Sequence, residues 1–291
     1  MKLVAIWSIT CLIWSSVWLF IKLGLYDLPP FSFAGIRLVI AVAILLPVMA
    51  VQRKHLPLKG RDVFLIAVTG FLLLSLNYGL VYWGAQYITS GLTAVLQAAT
   101  PVFGLVMAHY FIPAERITLQ KFFGIGLGVI GVAVIFLNQL QLAGWAAFFG
   151  CAAVAAGALC VAASYVIVKA RGTHLHPTTL ITGQMLFGLV PLVALGFITE
   201  GNPINFRWTR SAVVSLLYLA LAGSVVAFWL NYWLLARMDT SKVMLMGIVE
   251  TLLAVLLGAV VLGEAVTVRT IIGTVFIFLS IWFVMIHQPA K

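Results

Sequence analysis

The sequence predicts an all-α integral membrane protein, with ten transmembrane helices arranged as two inverted five-helix repeats around a central cavity. Three observations carry this. The 291 residues are 64% hydrophobic and only 8% charged, and their mean hydropathy of +1.16 lies far outside the range of a water-soluble domain. Breaks rich in Pro, Gly and charge divide the chain into ten long apolar runs, most near the roughly 20 residues that a helix needs to cross about 30 Å of hydrocarbon. The second half of the sequence also echoes the first. A β-barrel would instead show short segments of alternating polarity.

The first run, Leu3 to Ile21, follows Lys2 as a signal peptide would, but it holds four polar positions and three Trp and lacks a small-residue cleavage site. It reads as a retained span, 3–22. The following spans are expected at 31–51, 63–83, 90–111, 120–137, 143–169, 178–199, 211–235, 241–263 and 268–287. With the N-terminus in the cytoplasm, twelve basic residues fall on the inner side, among them Arg53, Lys54, Arg116, Lys169 and Arg171. Only Lys22, Arg207, Arg210 and Arg269 fall outside, and Arg37 lies within a span. This imbalance places both termini inside, as in a multi-pass protein of a bacterial inner membrane. The net charge of +10 is therefore read as contact with the lipid bilayer and its anionic headgroups, not with nucleic acid. Cys11, Cys151 and Cys160 all sit in apolar runs, where packing is the expected role and neither a disulfide framework nor a metal cluster is.

The internal echo is clearest where AATPVFGLVMAHYFIPAE (98–115) meets IVETLLAVLLGAVVLGE (248–264). Glu115, Thr118 and Gly124 pair with Glu264, Thr267 and Gly273, while Leu80, Tyr82 and Trp83 pair with Leu230, Tyr232 and Trp233. Lys22 and Pro30 match Lys169 and Pro177. Ordered matches of Glu, Pro and Lys favour duplication over chance. The halves are expected at 1–140 and 141–291. Five spans per half is odd, so the halves enter the membrane in opposite orientations, an arrangement suited to alternating access around a midplane site.

The stretch WSSVWLFIKLGLYDLPPFSFAGIR (14–37), with its mid-span Trp-Ser, terminal Lys, Pro pair and following Arg, resembles the opening of the drug/metabolite transporter superfamily, EamA branch. The repeated Gly-Glu or Ala-Glu signature around Glu115 and Glu264 is similar to that family's second motif. The resemblance covers essentially the whole chain. It implies a ten-span basket with spans 5 and 10 at the periphery, a central cavity, and export of small metabolites, often amino acids. The family usually has Pro after the glutamate of span 9. Here Thr251 follows Glu250 and the Pro survives only as Pro101, so the resemblance does not carry a symmetric kink over to spans 4 and 9.

Of seven acidic residues only Glu250 lies deep in a span, about 14 Å from its inner start at 1.5 Å per residue. An ionised carboxylate there costs at least about 3 kcal/mol if it faces lipid, so it must face inward. It can line a cavity, binding a substrate ammonium or a proton, or bond a neighbouring helix as the neutral acid. Arg37, about 9 Å deep, can bridge within the bundle, attract a carboxylate or snorkel to the surface, with a structural role the main expectation. Trp7, Cys11, Trp14 and Trp18 share one face of span 1, and Ser75, Tyr78 and Tyr82 share one face of span 3. Trp7 and Trp18 also suit an interfacial belt; Trp14 and Tyr78 lie too deep for that. Ser224, Phe228 and Asn231 form a stripe on span 8, and Asn77, Gln97, Thr100 and Ser164 are further mid-span polar groups. Singly each suits a packing hydrogen bond, but together they suggest a polar cavity. The expected substrate-binding set is Trp14, Trp18, Asn77, Tyr78, Tyr82, Gln97, Thr100, Ser164, Asn231 and Glu250.

GIGLG (124–128) holds a Gly-x-x-x-Gly step that suits internal packing or a weak homodimer. It is no nucleotide loop. His174 and His176 are expected in a cytoplasmic loop with no Cys or carboxylate nearby, so no metal is expected there, and no cofactor elsewhere. A membrane enzyme would need paired acids or a metal cluster in its spans, and a channel a recognisable filter. The expected function is a secondary or facilitative carrier exporting small amphipathic molecules, foremost neutral and aromatic amino acids. The alternatives are an enzyme acting on a lipid-like substrate, or a carrier of drugs or nucleotide-sugars on the same fold.

Overall fold

In the computed structural model, residues 2–54, 56, 59–112, 119–235, 237 and 240–285 are described. The helices are α1 (Lys2–Gly24), α2 (Pro30–Val51), α3 (Gly60–Ala85) and α4 (Ser90–Phe111), followed by one long helical stretch, Leu119–Arg171. That stretch divides at Gly144 into α5 (119–143) and α6 (145–171). Then come α7 (Pro177–Glu200), α8 (210–235), α9 (Thr240–Leu262) and α10 (Val268–Met285). Seven of the described helices are long and apolar enough to cross a membrane; three further apolar stretches, Phe122–Asn138, Met246–Leu262 and Val268–Phe283, are shorter. An even number of helices, ten, leaves the start of α1 and the end of α10 on one side, called here the terminal face.

The helix starts follow from their residues. Pro30 and Pro177 occupy first-turn positions where a missing N–H costs nothing, and the Thr89 and Thr209 hydroxyls accept from Leu92 N and Ala212 N to cap α4 and α8. Gly144, at φ 72° and ψ −163°, is the entire joint between α5 and α6. A side chain is disfavoured at that φ, so glycine is required for the chain to reverse without a loop. The expected break at 138–142 is therefore displaced, and the helix runs on to 143. Asn138 is used instead to tie α5 to the start of α10, donating to Thr267 Oγ1 at 2.9 Å.

Two helices depart from simple rods. Phe71–Leu76 in α3 and Leu219–Val226 in α8 are π-helical, wider turns that insert a residue and change which face the following side chains present. Both end at equivalent places in the two halves, 76 and 226. Periodicity did not reveal them, because an extra residue in one turn leaves no mark in hydropathy. The packing is symmetric as well. α1 lies against α9 and α6 against α4, α2 lies along α7, and α2 meets the π segment of α8 as α7 meets that of α3. α4 breaks at Ala98–Ala99, just ahead of Pro101, whereas α9 runs unbroken with Thr251 Oγ1 bonded to Gly247 O at 2.7 Å. The kink is one-sided, as the Pro-to-Thr departure allows.

α10 packs along α5. A Cβ on Gly131 would fall 2.6 Å from Gly273 O, so the two backbones touch there. Gly124 and Gly128 are buried, and a Cβ on Gly128 would meet Ser280 and Val102. The Gly-rich step thus serves internal packing. The largest cluster of buried apolar residues, including Phe33, Leu38, Tyr82, Leu192 and Leu219, binds α2, α3, α7 and α8 together.

Candidate functional site

Between the halves lies a cavity of about 690 Å³. α1 contributes Trp14 and Trp18, α3 Asn77, Tyr78 and Tyr82, α4 Gln97 and Thr100, α8 Phe228 and Asn231, and α9 Glu250. Nine of the ten residues expected in the site line it. Ser164 does not: it is fully buried and donates to Thr69 O at 3.0 Å, knitting α6 to α3. The stripes are also divided. Trp7 and Cys11 pack beside Leu234 and Met246, leaving only Trp14 and Trp18 for the cavity. Ser75 sits within the π segment and turns to α7, donating to Gly188 O at 2.5 Å, because the wide turn shifts it out of line with Tyr78.

The cavity has an open end and a closed one. Toward the terminal face its lining residues Pro101, Tyr165, Lys169 and Gly247 are exposed, Tyr165 by 56%. Toward the opposite face Ile21, Arg37, Tyr82 and Ala94 are each at most 3% exposed. Beyond them the helix ends are latched. Glu264 accepts from Ser90 N at 2.7 Å, Ser90 Oγ at 2.9 Å and Gly91 N at 3.2 Å, covering the start of α4. Glu200 accepts from Phe31 N at 2.8 Å and Ser32 N at 2.6 Å at the start of α2. Lys22 Nζ donates to Ala85 O and Ile88 O, both at 2.7 Å, at the end of α3. Each charge has the sign that the adjoining helix end favours. Asp27 accepts from Thr209 Oγ1 at 2.6 Å and lies 3.6 Å from Arg207.

Glu250 is half-buried in the cavity wall and accepts no hydrogen bond from the described residues. It thus lines the cavity without a bonded neighbour among the described residues. Gln97 and Asn77 are tied together, Gln97 Nε2 donating to Asn77 Oδ1 at 3.3 Å and to Val154 O at 2.9 Å. The aromatic wall is ordered by ring contacts: Trp14 meets Phe228 edge-on at 6.1 Å, and Tyr78 stacks on Tyr82 at 5.9 Å.

Arg37 departs most from expectation. It neither snorkels nor joins an ion pair among the described residues. Its Nη1 donates to Tyr82 OH at 2.9 Å, its Nε to Ser224 Oγ at 3.1 Å, and its guanidinium carbon lies 5.0 Å from the Tyr78 ring centre. The Oγ of Ser224 in turn donates to Leu219 O at 3.1 Å, so the π segment of α8 presents the hydroxyl that holds Arg37. Gln184, which the offset that pairs Lys22 with Lys169 and Pro30 with Pro177 sets opposite Arg37, donates to Thr69 Oγ1 of α3 at 2.9 Å. The sequence signal for this pair was their matched polarity at equivalent depth. A second correction concerns His174, whose Nε2 lies 3.0 Å from Asp62 Oδ1. A carboxylate is close in space after all, although no group of three metal-ligating side chains occurs among the described residues.

A ten-helix inverted repeat around a cavity with one open face defines a membrane transporter. The chain belongs to the EamA-like transporter family, whose sequence profile matches residues 2–137 and 148–286. YoaV of Bacillus subtilis, an uncharacterized transporter, is 30% identical over 93% of this chain and 92% of its own length. YedA of Escherichia coli, an uncharacterized inner membrane transporter, is 27% identical over 88% and 81%. A solved crystal structure with 18% identity covers 98% of this chain and 96% of its own, with a TM-score of 0.65, which shows the same fold. The protein is thus an integral multi-pass membrane transporter acting on a small-molecule substrate, not an enzyme.

Proposed function

We propose that the protein is a secondary or facilitative carrier exporting small amphipathic metabolites, foremost neutral and aromatic amino acids, by alternating access. The halves 1–140 and 141–291 rock against each other, the terminal face is cytoplasmic, and the protein resides in a bacterial inner membrane. One observation carries the reading: a cavity of about 690 Å³ joins aromatic rings to a carboxylate, Glu250, at mid-depth that has no hydrogen-bond partner among the described residues. Such a volume suits a single small ligand and its waters. Trp14, Trp18, Tyr78 and Phe228 offer ring faces to an apolar side chain, and Asn77, Gln97, Thr100 and Asn231 offer polar contacts beside them. Glu250 receives the substrate ammonium, an interaction strengthened by the low dielectric around it.

The test is flux of labelled phenylalanine in liposomes. Glu250→Gln removes the charge while keeping the shape, and it is expected to lower flux about tenfold or more, the scale for losing a charge-assisted hydrogen bond. The yield of folded, monodisperse protein should be unchanged, because Glu250 bonds to none of the described residues. Undiminished flux would remove Glu250 from the site.

A further inference from the structure

We propose that Arg37 is the carboxylate-recognising residue of the cavity, so that the preferred substrate is an amine that also carries a carboxylate, rather than an amine alone. The proposal rests on the carrier reading and specifies its substrate.

A guanidinium brings five N–H donors in a rigid planar fork. Two of those donors are used here, one on Ser224 and one on Tyr82, and none meets a carboxylate among the described residues. At 3% exposure the group is otherwise enclosed, yet it lies in the cavity wall. A buried cation without a counter-charge costs several kcal/mol, so a fold retains one where an anion arrives to meet it. The two hydroxyls and the Tyr78 face fix the plane of the fork, which limits the rotamer freedom lost on binding. The donors left over match the two oxygens of a carboxylate, which lysine's point charge would not do.

The second pole is Glu250, across the same cavity. Counting along the helices at 1.5 Å per residue, Arg37 starts about 10 Å below the opposite-face end of α2 and Glu250 about 18 Å below that of α9. The stagger of about 8 Å between the two backbones is within the combined reach of their side chains and a small bound molecule. A solute bearing both charges satisfies both poles, and its apolar part rests on Trp14, Trp18 and Phe228. Lys169 does not compete for this role, for it is exposed at the open end and already has an interaction of its own.

The experiment compares three probes in liposomes containing the full-length protein: phenylalanine, phenethylamine, which lacks the carboxylate, and 3-phenylpropionate, which lacks the amine. The wild type should carry phenylalanine at least about tenfold faster than either of the others, as losing a hydrogen bond to a charged group implies. Arg37→Gln should collapse the ratio of phenylalanine to phenethylamine flux toward one, and Arg37→Lys should restore part of it. Equal wild-type rates for phenylalanine and phenethylamine, or an unchanged ratio in Arg37→Gln, overturn the assignment of Arg37 while leaving the carrier reading intact. Flux of none of the three overturns the amino-acid substrate reading together with the assignment of Arg37. Should Arg37→Gln not fold, the wild-type ranking of the three probes decides.

Discussion

Glu264 and Glu200 show how single carboxylates organise one end of the bundle. Each reaches from the end of one helix to the free N–H groups at the start of another, which satisfies those donors and complements the local dipole. Glu264→Gln keeps one acceptor oxygen and loses the charge, leaving Ser90 and Gly91 competing for it. The expected loss is about 1 to 3 kcal/mol, measurable by denaturant titration in detergent micelles. The sequence marked Glu264 as a repeat partner of Glu115 but did not reveal its bonded partner, since Ser90 lies 174 positions away. Glu250 was legible for the converse reason: a carboxylate buried mid-span needs explaining wherever its neighbours fall. Arg37 was visible as an oddity, yet its partners Tyr82 and Ser224 come from helices whose relative rotation depends on π turns that composition does not encode. Ser164 looked equivalent to the cavity residues because a polar group in a span carries no label saying whether it faces a void or a backbone carbonyl.

At the level of helices, the span count and order could be read because apolar length and intervening charge are strong signals. The deviations from straight rods could not. In α3 and α8 the π segments let one helix offer some side chains to a packed neighbour and others to the cavity. Deleting one residue, Leu73, would return α3 to ordinary pitch and turn residues 60–70 by about 100° relative to 77–85. Thr69 would then lose Gln184, and flux should fall although the protein still inserts; liposome transport and size-exclusion chromatography together read this out. The contact of α5 with α10 offers a second test. Gly131→Val places side-chain atoms where Gly273 O now lies, so the variant should be destabilised by about 1 to 3 kcal/mol. Light scattering should give an unchanged oligomeric mass, because the close contact is within one chain.

For the whole molecule, the inverted repeat accounts for both the shared packing pairs and the one-sided cavity. The described cavity-lining residues near the opposite face are buried, whereas those toward the terminal face are exposed. In a background without native cysteines, Gly247→Cys should react with a membrane-impermeant maleimide added on the terminal side. Ala94→Cys, at 2% exposure in the native residue, should resist the same reagent from the opposite side. Labelling from both inverted and right-side-out vesicles checks this and the orientation together. Glu264→Gln should raise the reactivity of Ala94→Cys, since it loosens the barrier above that residue. The latches also have a kinetic meaning. A bulky blocker supplied from the shut side has no vestibule to enter until Glu264 and Lys22 let go, so its onset would be independent of dose once saturating. That limiting rate would report how often the resting protein exposes its far entrance.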